Sequence, residues 1–210
     1  MRGTSPANET GGTIMGSREE ILERIRRNTQ SVYEYPDLSV LKKSAVAYGN
    51  REKAFIKALE GAGGETVIAE DPSCIDSIIR KEYPEARSIV SPVELLECRT
   101  ASPDDFGSPE DLDGTDVAVV RGDFGVAENG AVWITDFGRH RALLFIAEAL
   151  VIILSRNSIV DNMHQAYAHD SMRHQRSFGT FISGPSKTAD IEQALVFGAH
   201  GARKVTVILI

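Results

Sequence analysis

Cysteine is nearly absent from this chain: Cys74 and Cys98 are the only two in 210 residues. They are not spaced as Cys-x-x-Cys and fall short of the four thiolates that an iron–sulfur cluster normally takes, so any cluster must belong to a partner. Basic residues are outnumbered, with 23 Lys and Arg against 30 Asp and Glu and a formal net charge of −7. That balance argues against a protein that tracks a nucleic-acid backbone, which needs a clustered cationic surface. Long apolar runs are missing as well. Ala142 to Leu154 is apolar apart from Glu148 but too short to span a bilayer. Its second half, around Val151-Ile152-Ile153, fits a central strand buried on both faces. Residues 1–16 lack an apolar signal core and read as a disordered extension, with Met15 as an alternative start. A cytoplasmic protein without a membrane span is expected. No Gly-x-Gly-x-x-Gly follows a strand and no Gly-x-Ser-x-Gly elbow occurs, so neither a dinucleotide fold nor an α/β-hydrolase is indicated.

What remains is an ordinary globular composition, 42% hydrophobic and 25% charged. Residues 17–210 are long enough for one domain that buries roughly 70% of its unfolded surface without a disulfide or metal. Helices are predicted over Ser17–Arg27, which is expected to pack across the body, and over Arg51–Glu60 before Gly61. Two more are predicted from Asp71-Pro72 through Arg80 and over Val160–Ala168. Strands are predicted over Thr66–Ala69, Arg87–Val90, Val117–Val120, Ala131–Thr135, Ala149–Leu154 and Lys204–Ile210. Tyr33–Gly49 reads as a loop with a possible docking surface, and Asp104–Gly114 as a Pro/Asp/Gly loop. This alternation implies an α/β fold, a mainly parallel sheet covered by helices.

Polar chemistry concentrates at two turns. Phe178–Ile182 is a run of β-formers broken by Ser183-Gly184-Pro185, after which Ile191, Leu195 and Val196 suggest a helix from Thr188 to the stop at Gly198. A helix starting there would present unpaired amides and the positive end of its dipole, so Ser186, Lys187 and Thr188 could cradle a phosphate or carboxylate. Ser183, Gly184 and Asp190 complete that candidate anion site. A ligand-free capped connection is the competing reading. A nucleotide P-loop is excluded, because Gly-x-x-x-x-Gly-Lys-Ser/Thr aligned on Lys187-Thr188 needs glycine where Ser186 and Phe181 stand.

The second turn, Gly122-Asp123-Phe124-Gly125-Val126-Ala127-Glu128-Asn129-Gly130, lies between two predicted strands, at a sheet end where α/β proteins bind ligands. Glu128, with Asn129 and Gly130 beside it, could serve as nucleophile, base or simple turn-former. Its Glu-Asn-Gly resembles the active-site turn of class I CoA-transferases, whose glutamate attacks an acyl-CoA thioester. His164, His169 and His174 are five residues apart and would be dispersed around a helix, so no one-helix metal site is expected. His200, in the His-Gly turn that closes the candidate anion motif, is either a base or a loop residue bonded to nearby carbonyls.

Phe124–Gly130 and Ser183–Glu192, continuing to Gly198-Ala199-His200-Gly201, together resemble the LUD family, the lactate-utilisation proteins in their short form. The resemblance runs over roughly Ser17–Ile210. It implies a single LUD domain with a three-layer NagB/RpiA/CoA-transferase-like fold. It also implies a role in oxidising L-lactate to pyruvate, with no cofactor in this chain and iron–sulfur lactate-utilisation proteins as partners. On that reading Glu128 and His200 are the catalytic candidates, and the Ser183–Asp190 set with Asn129 and Gly130 holds a small anionic substrate. His200 is the better base, because its ordinary pKa lies nearer neutrality. The alternatives are a CoA-transferase-like acyl transferase using Glu128 and a non-catalytic metabolite-sensing or scaffold protein. Two departures from the family pattern stand out: Glu-Asn-Gly in place of Glu-Thr-Gly, and Leu144-Phe145-Ile146-Ala147-Glu148 in place of Pro-Pro-Val-His.

Overall fold

A computed structural model describes residues 17–29, 34, 36, 37, 39–173, 178–189, 195–197 and 201–210. The chain divides into two units, Met1–Val40 and Leu41–Ile210. In the first, helix α1 (Ser17–Asn28) carries Glu19 and Glu20 in its first turn and Arg26 and Arg27 in its last. Both ends complement the helix dipole. Exposed pairs Arg24–Glu20 and Arg27–Glu23, one turn apart, add little each. A short helix α2 (Ser39–Ser44) stands inside the segment predicted as loop.

The second unit is organised by a five-stranded, all-parallel sheet. Its strands are β1 (Glu65–Ile68), β2 (Ile89–Val90), β3 (Val117–Arg121), β6 (Ala149–Leu154) and β11 (Lys204–Leu209), in the order β1-β11-β6-β3-β2. Five of the predicted strands thus fall into place here, the one over Ala131–Thr135 lying in another sheet, and β6 and β11 pair along their full length. Every residue of β6 is buried, the signature of a parallel strand covered on both faces. Alternate side chains go to opposite sides. Val117, Val119, Val151, Ile153 and Ile208 pack with Ile75 and Ile79 of α4 (Ile75–Glu82). Ala118, Val120, Leu150, Ile152, Leu154, Val207 and Leu209 pack with Phe55 and Leu59 of α3 (Arg51–Gly61). These two helices form for local reasons. Asn50 caps α3 by accepting from the Lys53 amide, and α4 follows a 3₁₀ turn begun by Asp71-Pro72.

A second sheet was not foreseen. The segment read as one glycine-dense turn contains β4 (Phe124–Val126), which pairs antiparallel with β5 (Ala131–Ile134) and parallel with β7 (Ile159–Val160), while β5 pairs with β8 (Thr180–Ile182). Val132 and Ile134 face the α3 core, and Phe124, Val126 and Trp133 face outward. There they pack with Ala166 and Met163 of α6 (Met163–Ala168) and with Met172 of α7 (Asp170–Arg173). Gly125 makes this possible, since a Cβ on it would stand 2.9 Å from a Leu154 methyl and 3.0 Å from the Phe55 ring. The helix predicted over Val160–Ala168 is accordingly shorter, Val160 being part of β7 and Asn162 capping α6. Helix α5 (Leu143–Ile146) occupies the first half of the apolar run that ends in β6.

The helix predicted from Thr188 is corrected. Strand β9 (Lys187–Ala189) pairs antiparallel with β10 (Leu195–Phe197), Lys187 opposite Phe197. Three apolar positions are too few to separate a helical period from a short hairpin, and Thr188, Val196 and Phe197 are β-formers. Asp190 and Ile191 lie outside the described residues. Among the described residues, no helix is long and apolar enough to cross a membrane.

One buried charge ties α3 to the second sheet. Asp161, 4% exposed at its side chain, accepts from Arg51 at 2.9 and 2.8 Å, from the Tyr48 amide at 3.1 Å and from Gln165 at 3.1 Å. The Arg51 bonds, helped by Tyr48 and Gln165 and opposed by burial, hold its carboxyl down to about 2, below an ordinary 3.8. The unfolded chain therefore takes up this proton first. The stabilisation is complete above about pH 4 and is lost as pH falls toward 2. Arg51→Ala, which strands a buried carboxylate, is expected to lower stability by roughly 2 kcal/mol at neutral pH, toward the lower end because Arg51 is half exposed. Urea unfolding at pH 7 and at pH 3 checks this, and the deficit should shrink at the acid pH.

Candidate functional site

The two turns singled out in the sequence meet at the last turn of α3. The β4–β5 turn closes with the Gly130 amide donating to the Val126 carbonyl at 2.9 Å, and the Asn129 side-chain oxygen accepts from the Ala131 amide at 3.1 Å. Gly130 has φ +67°, and a Cβ there would come within 2.4 Å of the Leu59 nitrogen. Gly184, with φ +68°, is pressed onto α3 in the same way, 2.4 Å from the Ala62 carbonyl oxygen to its ideal Cβ position. Ser183 joins the two loops directly, its hydroxyl donating to the Asn129 carbonyl at 2.7 Å. Next along the chain, the Ser186 amide donates to the Ala202 carbonyl at 3.0 Å, and the Lys187 side chain runs beside Gly63.

Glu128 is exposed on this turn, but it is engaged. One carboxylate oxygen accepts from the Met163 amide at 2.9 Å, in the first turn of α6, and the Glu128 amide donates to the Asp161 carbonyl at 3.0 Å. This is the turn-forming arrangement, with the side chain tying β4–β5 to the neighbouring helix. Asn129, Gly130, Ser183, Gly184, Ser186 and Lys187 are thus brought around one end of α3, while Glu128 faces α6. Thr188 is placed as a residue of β9. His200 and Asp190 lie outside the described residues. Because β9 replaces a helix start, the Ser186–Thr188 amides are not a helix N-terminus.

Ser183, Gly184 and Ser186 do border a space. With Leu144, Phe145, Phe181, Gly201 and Ala202 they line a cavity of about 230 Å³. Chemically it offers the Ser186 hydroxyl on an apolar floor, that of Ser183 being spent on the Asn129 carbonyl, which is enough for a small polar molecule. The two cysteines bring no redox chemistry to it. Burial first, then the Asp76 carboxylate, pushes the Cys98 thiol up to about 12, and Cys74 lies at the start of α4. Among the described residues, no group of three or more His, Cys, Asp and Glu is placed to hold a metal.

Residues 109–210 match a family model. That model describes the LUD domain. Similar sequences agree. A protein named Lactate utilization protein C from Geobacillus sp. (strain WCH70) is 26% identical over 204 residues, covering 92% of this chain and 79% of that one. Its namesake from Shouchella clausii (strain KSM-K16) is 29% identical over 190 residues, covering 82% and 78%. In fold, the chain is similar to a crystal structure of a DUF162 family protein from Deinococcus radiodurans, with a TM-score of 0.61 at 16% identity, covering 78% of this chain and 98% of that one.

The LUD domain match takes in both motif turns but not α3, whose last turn they rest on. It also takes in a site that the sequence reading passed over. Thr135 to Ala142, with Phe145, Ile146, Phe178 and Pro109, line a cleft of about 1130 Å³. The missed signal was Phe137-Gly138-Arg139-His140-Arg141, a loop that packs three potential cations behind an aromatic residue. Phe145 borders this cleft and the smaller cavity alike.

Gly130→Ala should lower stability by about 2–4 kcal/mol, because it adds left-handed strain to a collision with helix backbone. Urea unfolding measures it, and a value indistinguishable from the parent would mean the turn does not sit on α3. In the folded protein near pH 8, iodoacetamide should leave Cys98 unmodified until denaturant is added, as peptide mapping would detect.

Proposed function

We propose that this chain serves lactate utilisation as the cluster-free member of a lactate-oxidising system. It binds a small carboxylate substrate, and iron–sulfur partner proteins accept the two electrons released as lactate becomes pyruvate. The observation that carries this reading is the similarity, over most of the chain, to proteins named Lactate utilization protein C. The cavity beside Ser183 and Ser186 supports it. At about 230 Å³ it lies below the usual range for larger organic ligands, roughly 300–1,000 Å³, and suits a molecule of lactate's size. Ser186, beside Gly184, would hold the carboxylate, with Ser183 fixing the loop through its bond to the Asn129 carbonyl and Lys187 and Thr188 next in sequence. His200, which precedes the wall residue Gly201, is the proposed base for the substrate hydroxyl.

Acyl transfer through Glu128 is the weaker reading, because the carboxylate already accepts a backbone N–H from α6. Borohydride trapping after incubation with an acyl-CoA would still reveal a thioester at that residue.

Deleting the gene in its host should abolish growth on L-lactate while leaving growth on glucose intact. Complementation with the parent chain should restore it. Ser186→Leu, which fills the cavity, should raise the KM for L-lactate in extract dye-reduction assays by roughly tenfold or more. Unimpaired growth of the deletion strain on lactate would refute the proposal.

A further inference from the structure

The large cleft calls for a different ligand from the small cavity. Its backbone is pinned. Gly138, at φ +70°, presses against Pro103, the Arg139 amide donates to Asp104 at 2.6 Å, and a His140 ring nitrogen bonds the Phe106 carbonyl at 3.0 Å. The Pro103 turn is itself fixed by a capping box between Ser102 and Asp105. On this rigid loop the charged side chains are left available. Neither Arg139 nor Arg141 makes an ion pair or a side-chain hydrogen bond among the described residues. Arg141 instead lies over the Phe178 ring, 5.2 Å from its centroid. Phe178 meets Phe137 edge-on at 5.8 Å, and both Phe178 and Phe145 are more than a third exposed. Two guanidiniums thus face one lining carboxylate, Asp136, on a chain whose net charge is −7.

Guanidinium groups that lack a carboxylate partner suit phosphate oxygens, and exposed aromatic faces suit a planar ring. A carboxylate beside them suits sugar hydroxyls. A volume of about 1130 Å³ is too large and too apolar for a hydroxy acid. We propose that this cleft binds a nucleotide, with the heteroaromatic ring among Phe137, Phe145 and Phe178, the phosphate on Arg139 and Arg141, and Asp136 toward the sugar. This second site does not depend on the lactate reading.

The test is equilibrium titration of the full-length protein with adenosine monophosphate and flavin mononucleotide, against adenosine, riboflavin and inorganic phosphate. At least one phosphorylated compound should bind saturably, and more tightly than either its ring or phosphate alone. The double variant Arg139→Ser/Arg141→Ser should weaken that binding by roughly tenfold or more, and by clearly more than it weakens binding of the unphosphorylated ring. Phe178→Ala should weaken ring and nucleotide together. Unfolding temperatures close to the parent's would verify that the exposed substitutions leave the fold intact. The proposal is overturned if neither nucleotide binds at concentrations up to about 1 mM, or if binding is indifferent to the arginine pair. Capture of polyglutamate without nucleotide binding would also overturn it, in favour of an acidic protein surface.

Discussion

Much of this structure depends on how closely two loops approach the last turn of α3. Helix ends leave carbonyls that must find partners, and here the Ala62, Gly63 and Gly64 amides close that turn on itself. The outside of the turn is then free to serve as a platform. Gly130 and Gly184 lie directly on its backbone, and the space a side chain would need is already filled. Motifs far apart in sequence thereby become neighbours, joined by the bond from Ser183 to the Asn129 carbonyl. The cavity walls inherit their positions from this contact.

The two spaces bordered by Phe145 differ in kind. One is small, hydroxyl-lined and close to the α3 platform; the other is wide, aromatic and cationic, and hangs on loops anchored to residues 102–106. Phe145 sits on α5. A change there alters the wall of both spaces together. If the smaller holds a hydroxy acid and the larger a nucleotide, the ring of Phe145 is where occupancy of one would be felt by the other.

The central sheet was legible because parallel strands covered on both faces are written as unbroken apolar runs. β6 and β11 could hardly be read otherwise, and α3 and α4 announced themselves through caps and spaced apolar residues. The small sheet was hidden by its brevity. β4 is Phe124-Gly125-Val126, and its middle glycine reads as a turn signal although it is there to admit Leu154 and Phe55. The hairpin of β9 and β10 was misread for the opposite reason, its few apolar residues falling on a helix-like spacing. Glu128 was found by its motif, but its bond to the Met163 amide depends on α6, far along the chain. The cleft escaped notice because loops and scattered aromatic residues have no period.

At the corner where β3 gives way to β4, consecutive amides serve different sheets. Gly122 donates to Ile153 in the parallel sheet at 2.9 Å, and Asp123 donates to Trp133 in the mixed one, also at 2.9 Å. Two successive peptide units therefore rivet one layer to the other. Sliding one sheet over the other would have to break both bonds at that point. The walls of the large cleft lie mostly in loops that these joined sheets carry.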